Sequence, residues 1–219
     1  MKLGYSPWGN GNSIGPFKNI FSEKQDCYKE GFDGIDAFVL WGGTDIHPSL
    51  YHDKPHRFSQ APNEPSPRDV WEWQALKVCQ ANDIPVIGVC RGAQMMCAFV
   101  GGGLFQHIAG HQSNHGMITN TGEVMVTTSA HHQMLDLRGT DHELLAWSQF
   151  NLSPFYYTEH SFTPQNLNIK TFKEPEVVFF PGIKGLAIQG HPEWASDNDP
   201  FNIYVLNLVK EYLLNEVWA

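Results

Sequence analysis

The run Ile87-Gly88-Val89-Cys90-Arg91-Gly92 constrains this chain more than any other stretch. Residues 84–89 are apolar without polar alternation, which suits a short strand buried on both faces, as in a parallel sheet. The strand passes through Gly-x-Cys-x-Gly directly into residues 92–100, which read as a helix ended by Gly101-Gly102-Gly103. A strand that turns this sharply into a helix needs glycine on both sides of the turning residue, because flanking side chains would collide. The pattern is that of a nucleophile elbow with cysteine in the serine position. It lifts the Cys90 sulfur above the carboxyl ends of the strands, where open α/β sheets bind ligands. It also seats the thiol at a helix N-terminus, whose dipole favours the thiolate. Taken alone, the motif fits equally well with Cys90 as a small buried apolar residue, the usual state of a free cysteine.

The flanking sequence extends the same architecture. Residues 36–41 form another continuous apolar run, ending in Gly42-Gly43, and residues 68–82 carry Trp71, Ala75, Val78 and Cys79 at helical spacing. Strand, helix, strand, helix in this order predicts a right-handed, mostly parallel sheet covered on both faces, a three-layer α/β sandwich. Residues 1–5 predict a first strand, residues 21–30 a helix stopped at Gly31, and the Pro-, His-, Ser- and Asn-rich residues 44–67 a long loop. The second half reads differently. Residues 123–128 alternate and predict a strand at or near an edge, and 144–147 a short strand. Residues 176–180 and 185–189 form a hairpin through Pro181-Gly182. Residues 201–217, with Ile203, Leu206, Val209, Leu213 and Val217 in phase, predict an amphipathic closing helix. Residues 151–175 show no period. Neither a linker nor a repeat interrupts the chain, so residues 1–219 read as one domain.

Composition narrows the class. With 23 acidic against 14 basic side chains in 219 residues, the formal charge is −9. That argues against a binder of duplex nucleic acid, which needs a basic face to neutralise phosphates, and disfavours anionic membrane surfaces for the same reason. The longest apolar run, 93–105, is broken by three glycines and is too short to cross a bilayer. The four cysteines, Cys27, Cys79, Cys90 and Cys97, contain no Cys-x-x-Cys pair, and the first residues lack a signal-peptide pattern. Reduced thiols and a cytoplasmic location are the expectation. Cys27, Cys79 and Cys97 are assigned to packing.

A cysteine nucleophile needs a base, and the base an orienting partner. Gln189-Gly190-His191-Pro192-Glu193 supplies both just after a predicted strand. His191 at a sheet end can reach the thiol, and Glu193 can return to the other imidazole nitrogen and fix its tautomer. An isolated His-Pro-Glu loop would be unremarkable surface; paired with the elbow it points to catalysis.

Gly-Val-Cys-Arg-Gly-Ala-Gln followed about a hundred residues later by Gln-Gly-His-Pro-Glu resembles the class I glutamine amidotransferase fold, a flavodoxin-like architecture. Three further segments resemble its γ-glutamyl-γ-aminobutyrate hydrolase (peptidase C26-like) group. These are Gly42-Gly43-Thr44-Asp45-Ile46-His47-Pro48-Ser49-Leu50-Tyr51, Gly101-Gly102-Gly103-Leu104-Phe105-Gln106-His107-Ile108, and Ser129-Ala130-His131-His132-Gln133. The resemblance implies a Cys90–His191–Glu193 triad and an oxyanion hole from the backbone N–H groups of Gly43 and Arg91. It further implies that Gln94, Ser129, His131 and His132 hold the glutamyl head of a small-molecule γ-glutamyl substrate. The chain departs from the group in the short interval before Gly42-Gly43 and in residues 151–173, which match nothing in it.

Other features carry less. His107, His111 and His115 recur every four residues, but Gly110 and Gly116 interrupt them and no acidic ligand interleaves, so neither a metal nor any other cofactor is expected. His47, His52 and His56 are placed facing solvent or the substrate mouth. The 7 tryptophans and 14 phenylalanines read mainly as core, with an aromatic platform for the leaving group as the alternative. A pocket gripping a carboxylate needs local positive potential, and backbone N–H groups with a few residues such as Arg91 are the expected contributors. The leading functional expectation is a hydrolase of γ-glutamyl amides, with a homodimer as the prior assembly. One alternative is a glutaminase subunit delivering ammonia to a synthetase partner; another is a catalytically silent binding module.

Overall fold

The computed structural model describes residues 1–9, 14–159, 167–168 and 170–214. The elements follow in chain order as β1 (Lys2–Tyr5), β2 (Glu23–Asp26), α1 (Cys27–Glu30), β3 (Ala37–Leu40), α2 (Pro67–Ala81), β4 (Val86–Val89), α3 (Arg91–Phe99) and β5 (Gly103–Phe105). Then come β6 (His115–Thr119), β7 (Val124–Thr127), β8 (Met134–Asp136), β9 (Glu143–Ser148), β10 (Pro175–Phe180), β11 (Gly185–Ile188) and α4 (Pro200–Leu208). The main sheet runs β2-β1-β3-β4-β11-β10-β9-β6-β7. Its first five strands are mutually parallel and the remainder pair antiparallel. β5 and β8 form a separate antiparallel pair.

Period-two alternation in the central strands divides the core into two layers. Ala37 and Val39 of β3 face one side with Leu3, Tyr5, Ile188 and the apolar residues of α4. Phe38 and Leu40 face the other side with Ala75, Leu76 and Cys79 of α2 and Ala93, Met96 and Cys97 of α3. All four residues of β3, of β4 and of β11 are buried, as strands sandwiched between helices must be. Helix α2 starts at a complete capping box: Ser66 Oγ accepts from Asp69 N at 3.1 Å and Asp69 Oδ2 from Ser66 N at 2.9 Å.

Four sequence expectations change. Residues 21–30 are not one helix: β2 is a polar edge strand, followed by the single turn of α1, where Asp26 caps and Gly31 closes. A polar edge strand has one row of backbone groups to pair and no apolar requirement, so its periodicity is silent. The 44–67 loop holds a 3₁₀ turn at Pro48–Tyr51. In α4 the buried face is Phe201, Val205 and Leu208, continued by Val209 and Leu213 in a π-helical turn at Val209–Leu213, while Ile203 is exposed. Wide π turns shift the phase that a 3.6-residue period assumes, and Val217 lies outside the described residues. Strands β5, β6 and β8 are additions. As expected, β7 closes the sheet edge, and β10 and β11 pair through Pro181-Gly182.

Candidate active site

Three neighbouring parallel strands end at one place. β3 runs out into Trp41-Gly42-Gly43, β4 into Cys90, and β11 into Gln189-Gly190-His191. Cys90 turns the chain with φ 50° and ψ −104°, a conformation that L residues rarely adopt and that costs about 1–3 kcal/mol. The Cys90 N–H donates to Ile188 O at 2.7 Å, tying the turn to β11. Both flanking glycines are needed for packing. A side chain at Gly92 would strike the Leu40 carbonyl, and one at Gly88 would strike Met96 and the Gly92 backbone. A methyl added to Gly42 would lie 3.0 Å from His191 Cε1 and 3.5 Å from Cys90 Cβ, so the three strand ends are in mutual contact.

His191 is held from several directions. Its N–H donates to Thr128 O at 3.0 Å, and its carbonyl accepts from Thr128 Oγ1 at 2.5 Å. Its Nδ1 sits 2.8 Å from Glu193 Oε1. The Trp194 indole stacks flat on the ring, with centroids 3.7 Å apart and planes 6° from parallel, while remaining 56% exposed itself. Burial disfavours the imidazolium, but the Cys90 sulfur and the Glu193 carboxylate outweigh it and raise His191 to about 9. The other cysteines are unlike Cys90 in setting. Desolvation pushes Cys27 up to about 12 and raises Cys79 and Cys97 as well, consistent with inert packed thiols.

The Gly42-Gly43 loop is fixed by a residue that sequence reading did not single out. Arg68 Nη1 donates to Gly42 O at 3.1 Å and Nη2 to Trp41 O at 2.6 Å. In a trans peptide the N–H points opposite to the carbonyl, so holding Gly42 O on Arg68 turns the Gly43 N–H the other way. Arg68 Nε pairs with Glu72 at 2.9 Å, and the Arg91 guanidinium pairs with both Glu72 and Asp69. Arg91 is only 2% exposed and committed to these carboxylates. Its side chain therefore supplies no free positive charge to a pocket, contrary to expectation. A cavity of about 240 Å³ opens beside this loop, lined by Thr44, Asp45, Gln60, Pro62, Arg68 and Arg91 among others.

The residues expected around a glutamyl head separate into two groups. Gln94 is buried one turn into α3, with Nε2 3.4 Å from Gln133 O. His132 Nε2 meets Asp45 Oδ1 at 3.0 Å on the cavity wall. Ser129 instead donates its hydroxyl to His111 O at 2.7 Å. His131 is buried away from the cavity, its Nδ1 2.8 Å from Gln133 O and its ring 4.8 Å from that of His111. Burial pushes it down to about 3. An open substrate-facing imidazole at His131 is thus not what the structure contains: adjacent residues of an extended loop point to opposite sides, and His132 takes the outward one.

The histidine stripe also splits. His107 packs with Phe58 at 4.6 Å, Phe155 at 5.6 Å and His132 at 5.8 Å. His111 Nε2 meets Glu174 at 3.0 Å, and His115 Nε2 meets Glu176 at 2.8 Å. Among the described residues, His111, His131 and Glu176 form a group whose ligand atoms all lie within 4.8 Å of one another. Glu174 directly precedes β10 and Glu176 lies on it, both far from the histidines in sequence. His47 and His56 are buried rather than facing solvent: His47 Nδ1 caps the turn at Ser49, and His56 N–H donates to Gln106 Oε1 at 2.8 Å.

A model of the family described as Peptidase C26 matches residues 19–146, which include Cys90 and end before His191. A Mycobacterium tuberculosis protein provisionally named a glutamine amidotransferase is 32% identical over 49% of this chain. The γ-glutamyl-CDP-amidate hydrolase of Campylobacter jejuni is 30% identical over 49%. These matches span 41% and 48% of the relatives' own lengths. The crystal structure of a Thermotoga maritima glutamine amidotransferase superposes with a TM-score of 0.59 at 14% identity, covering 96% of this chain and 85% of that one. The class I glutamine amidotransferase fold is therefore shared. No described helix is long and apolar enough to cross a membrane.

Proposed function

The chain belongs to the Peptidase C26 family, and on that premise we propose that it hydrolyses a γ-glutamyl amide through a γ-glutamyl thioester, releasing glutamate and an amine. The observation that carries the reading is the strained Cys90 elbow in contact with His191, itself held by Glu193. The name of the Campylobacter jejuni relative supports the substrate class.

In the first half-reaction Cys90 Sγ attacks the γ-carbonyl carbon, and the carbonyl oxygen takes up negative charge. The N–H groups of Gly43 and Arg91 receive that charge, the first aimed by Arg68 and the second opening a helix. Collapse of the tetrahedral species breaks the C–N bond, and His191 delivers its proton to the departing nitrogen. In the second half, water gives a proton to His191 and attacks the thioester. The C–S bond breaks, glutamate leaves, and Cys90 regains its starting state. Glu193 keeps the imidazole oriented throughout, and Trp194 covers one of its faces. Gln94 and His132 adjoin the glutamyl head. His131 and Ser129 support the loop behind it rather than gripping substrate.

Glutamate release from a panel of γ-glutamyl amines, with glutamine included, tests the reading. Rapid turnover of γ-glutamyl amines, lost in Cys90→Ala, is the expected result, together with labelling of Cys90 by a glutamine-derived diazoketone. Turnover of glutamine alone, and only with a synthetase present, would replace it with the ammonia-delivering alternative. An unlabelled Cys90 and an inert protein would leave a binding module.

A further inference from the structure

The side-chain cluster behind the 128–133 loop is not used by the chemistry above, and its two carboxylates are treated very differently. Glu174 is saturated: it accepts from Leu152 N–H and Ser153 N–H at 2.8 Å, from Tyr156 Oη at 2.7 Å, and from His111 Nε2 at 3.0 Å. Glu176, equally buried, has imidazoles only at Oε1, while Oε2 meets no hydrogen-bond donor among the described residues. Facing the same space is His131 Nε2, also buried and without a partner. Because His131 Nδ1 is the nitrogen hydrogen-bonded to the Gln133 carbonyl, it carries the proton and Nε2 presents a lone pair. The third atom, His111 Nδ1, lies 3.1 Å from Glu176 Oε1 but off the direction of a hydrogen bond. Two acceptors, His131 Nε2 and Glu176 Oε2, thus converge without a donor among the described residues, with the His111 ring beside them. Burying such acceptors unpaired is costly, and a cation removes the cost.

We propose that His111 Nδ1, His131 Nε2 and Glu176 form a binding site for one first-row divalent cation of the zinc class. The donor set, two imidazoles and a carboxylate, is the kind that zinc takes, with water in the fourth position. Tetrahedral ligands about 2.0–2.1 Å from a metal are about 3.3 Å apart. His111 Nδ1 and Glu176 Oε1 are already that close, and the ligand atoms of all three residues lie within 4.8 Å of one another. Each ligand has an outer partner that fixes its free end, the arrangement that orients metal-bound histidines. Glu174 holds His111 Nε2, the Gln133 carbonyl holds His131 Nδ1, and His115 Nε2 holds Glu176 Oε1. The bound ion joins three segments remote in sequence: the chain after β5, the loop before β8, and β10. Ser129, bonded to His111 O, and Thr128, bonded to His191, extend that clamp toward the active site. Its role is structural, and it stands independently of the reaction assigned to Cys90.

The test is metal content and cobalt spectroscopy on the full chain. Protein purified from zinc-supplemented medium should carry one zinc per chain after gel filtration. Chelator-stripped protein should melt lower and recover on adding zinc. Titrating the stripped protein with Co²⁺ should give visible d–d bands that saturate at one equivalent and vanish in His131→Gln. Glu174→Gln, which leaves the three ligands in place, should weaken Co²⁺ binding about 10–100-fold while the far-ultraviolet circular dichroism stays native. Wild-type protein without zinc, whose melting temperature ignores added zinc and which gives no cobalt bands, would overturn the proposal. So would a cobalt affinity unchanged in a folded His131→Gln. Either result would leave a purely proton-linked imidazole–carboxylate network.

Discussion

His191 meets Glu193 at 2.8 Å where the parallel strands end, and His111 meets Glu174 at 3.0 Å within the antiparallel half. The groups are the same and the separations nearly so, yet the surroundings assign them different chemistry. In the parallel half, right-handed crossovers bring three strand ends to one edge, so the imidazole meets a sulfur on a strained turn and an indole open to water. In the antiparallel half the His111–Glu174 pair is fully buried, and beside it His131 Nε2 and Glu176 Oε2 have no hydrogen-bond partner among the described residues. Topology places the pairs. Exposure and the third neighbour decide whether a histidine–carboxylate pair moves protons or waits for a cation.

The sharpest way to break this comparison is to remove the third neighbour of the first pair. Cys90→Ala should lower glutamate release from a γ-glutamyl amine by at least about 10³-fold, the range seen when a nucleophile that acts as part of a unit is deleted. Urea denaturation should show it folded but somewhat less stable at neutral pH, because the Cys90 sulfur is one of the groups that raise His191. Residual activity near that of the wild-type chain would mean that the elbow is only a packing device.

Next in size is Glu193→Gln, which keeps the shape and removes the charge. The rate should fall on the order of 10²-fold, and the pH dependence should move with a defined sign. His191 is raised from 6.5 to about 9 in the folded chain. Its interactions therefore stabilise the fold fully below pH 6.5, and that stabilisation is lost as pH rises through about 9. Without the carboxylate, the high-pH limb of kcat/KM should shift to lower pH, and the melting temperature should depend less on pH between 6.5 and 9. A limb that does not move would assign the raised imidazole to some other partner.

Arg68→Lys probes how the Gly43 N–H is aimed. Lysine keeps a positive charge beside Glu72 but cannot grip two carbonyls with a planar fork. A partial loss of aim should lower kcat about 10-fold, below the roughly 10²–10³-fold cost of deleting an oxyanion donor outright, with KM little changed. A loss confined to KM would move Arg68 from positioning the loop to binding substrate. Substitution by an apolar residue is a poorer probe. It would leave Glu72 and Asp69 facing Arg91 alone, and breaking such a buried set costs about 3–5 kcal/mol.

The legible parts of this molecule are those whose physics is local in sequence. Gly88 and Gly92 flank Cys90 because backbone atoms approach within one turn, and apolar runs mark β3, β4 and β11 because both faces of each strand are covered. His191 and Glu193 are two residues apart, so their pairing is a short-range inference. Arg91 illustrates the reverse: its partners Asp69 and Glu72 lie 22 and 19 residues away, and nothing in Cys-Arg-Gly distinguishes a committed guanidinium from a free one. The buried cluster is less legible still. His111 and Glu174 are 63 residues apart, and reading the histidines as one helical stripe joins His107 to residues it does not meet. Strand β2, with the sequence Glu-Lys-Gln-Asp, carries no apolar signal because its place at the sheet edge asks for none.

Trp194 sits one residue beyond Glu193, and its effect should be the smallest and the most specific. The indole lies flat on His191 at 3.7 Å. An aromatic face beside a cationic ring stabilises the charge by about 0.5–1 kcal/mol at an exposed site, and 1.36 kcal/mol corresponds to one pKa unit. Trp194→Ala should therefore shift the high-pH limb of kcat/KM downward by about half a pH unit, with only a few-fold fall in kcat at neutral pH. Trp194→Phe should restore part of the shift, since a smaller ring offers the same face with a weaker quadrupole. The fold should be indifferent, because Trp194 is 56% exposed and caps nothing else. Equal shifts in Ala and Phe would make the indole a shield against water instead of a partner for charge. No shift in either would reduce the stack to a contact without consequence for His191, and the first pair would then owe its raised pKa to Cys90 and Glu193 alone.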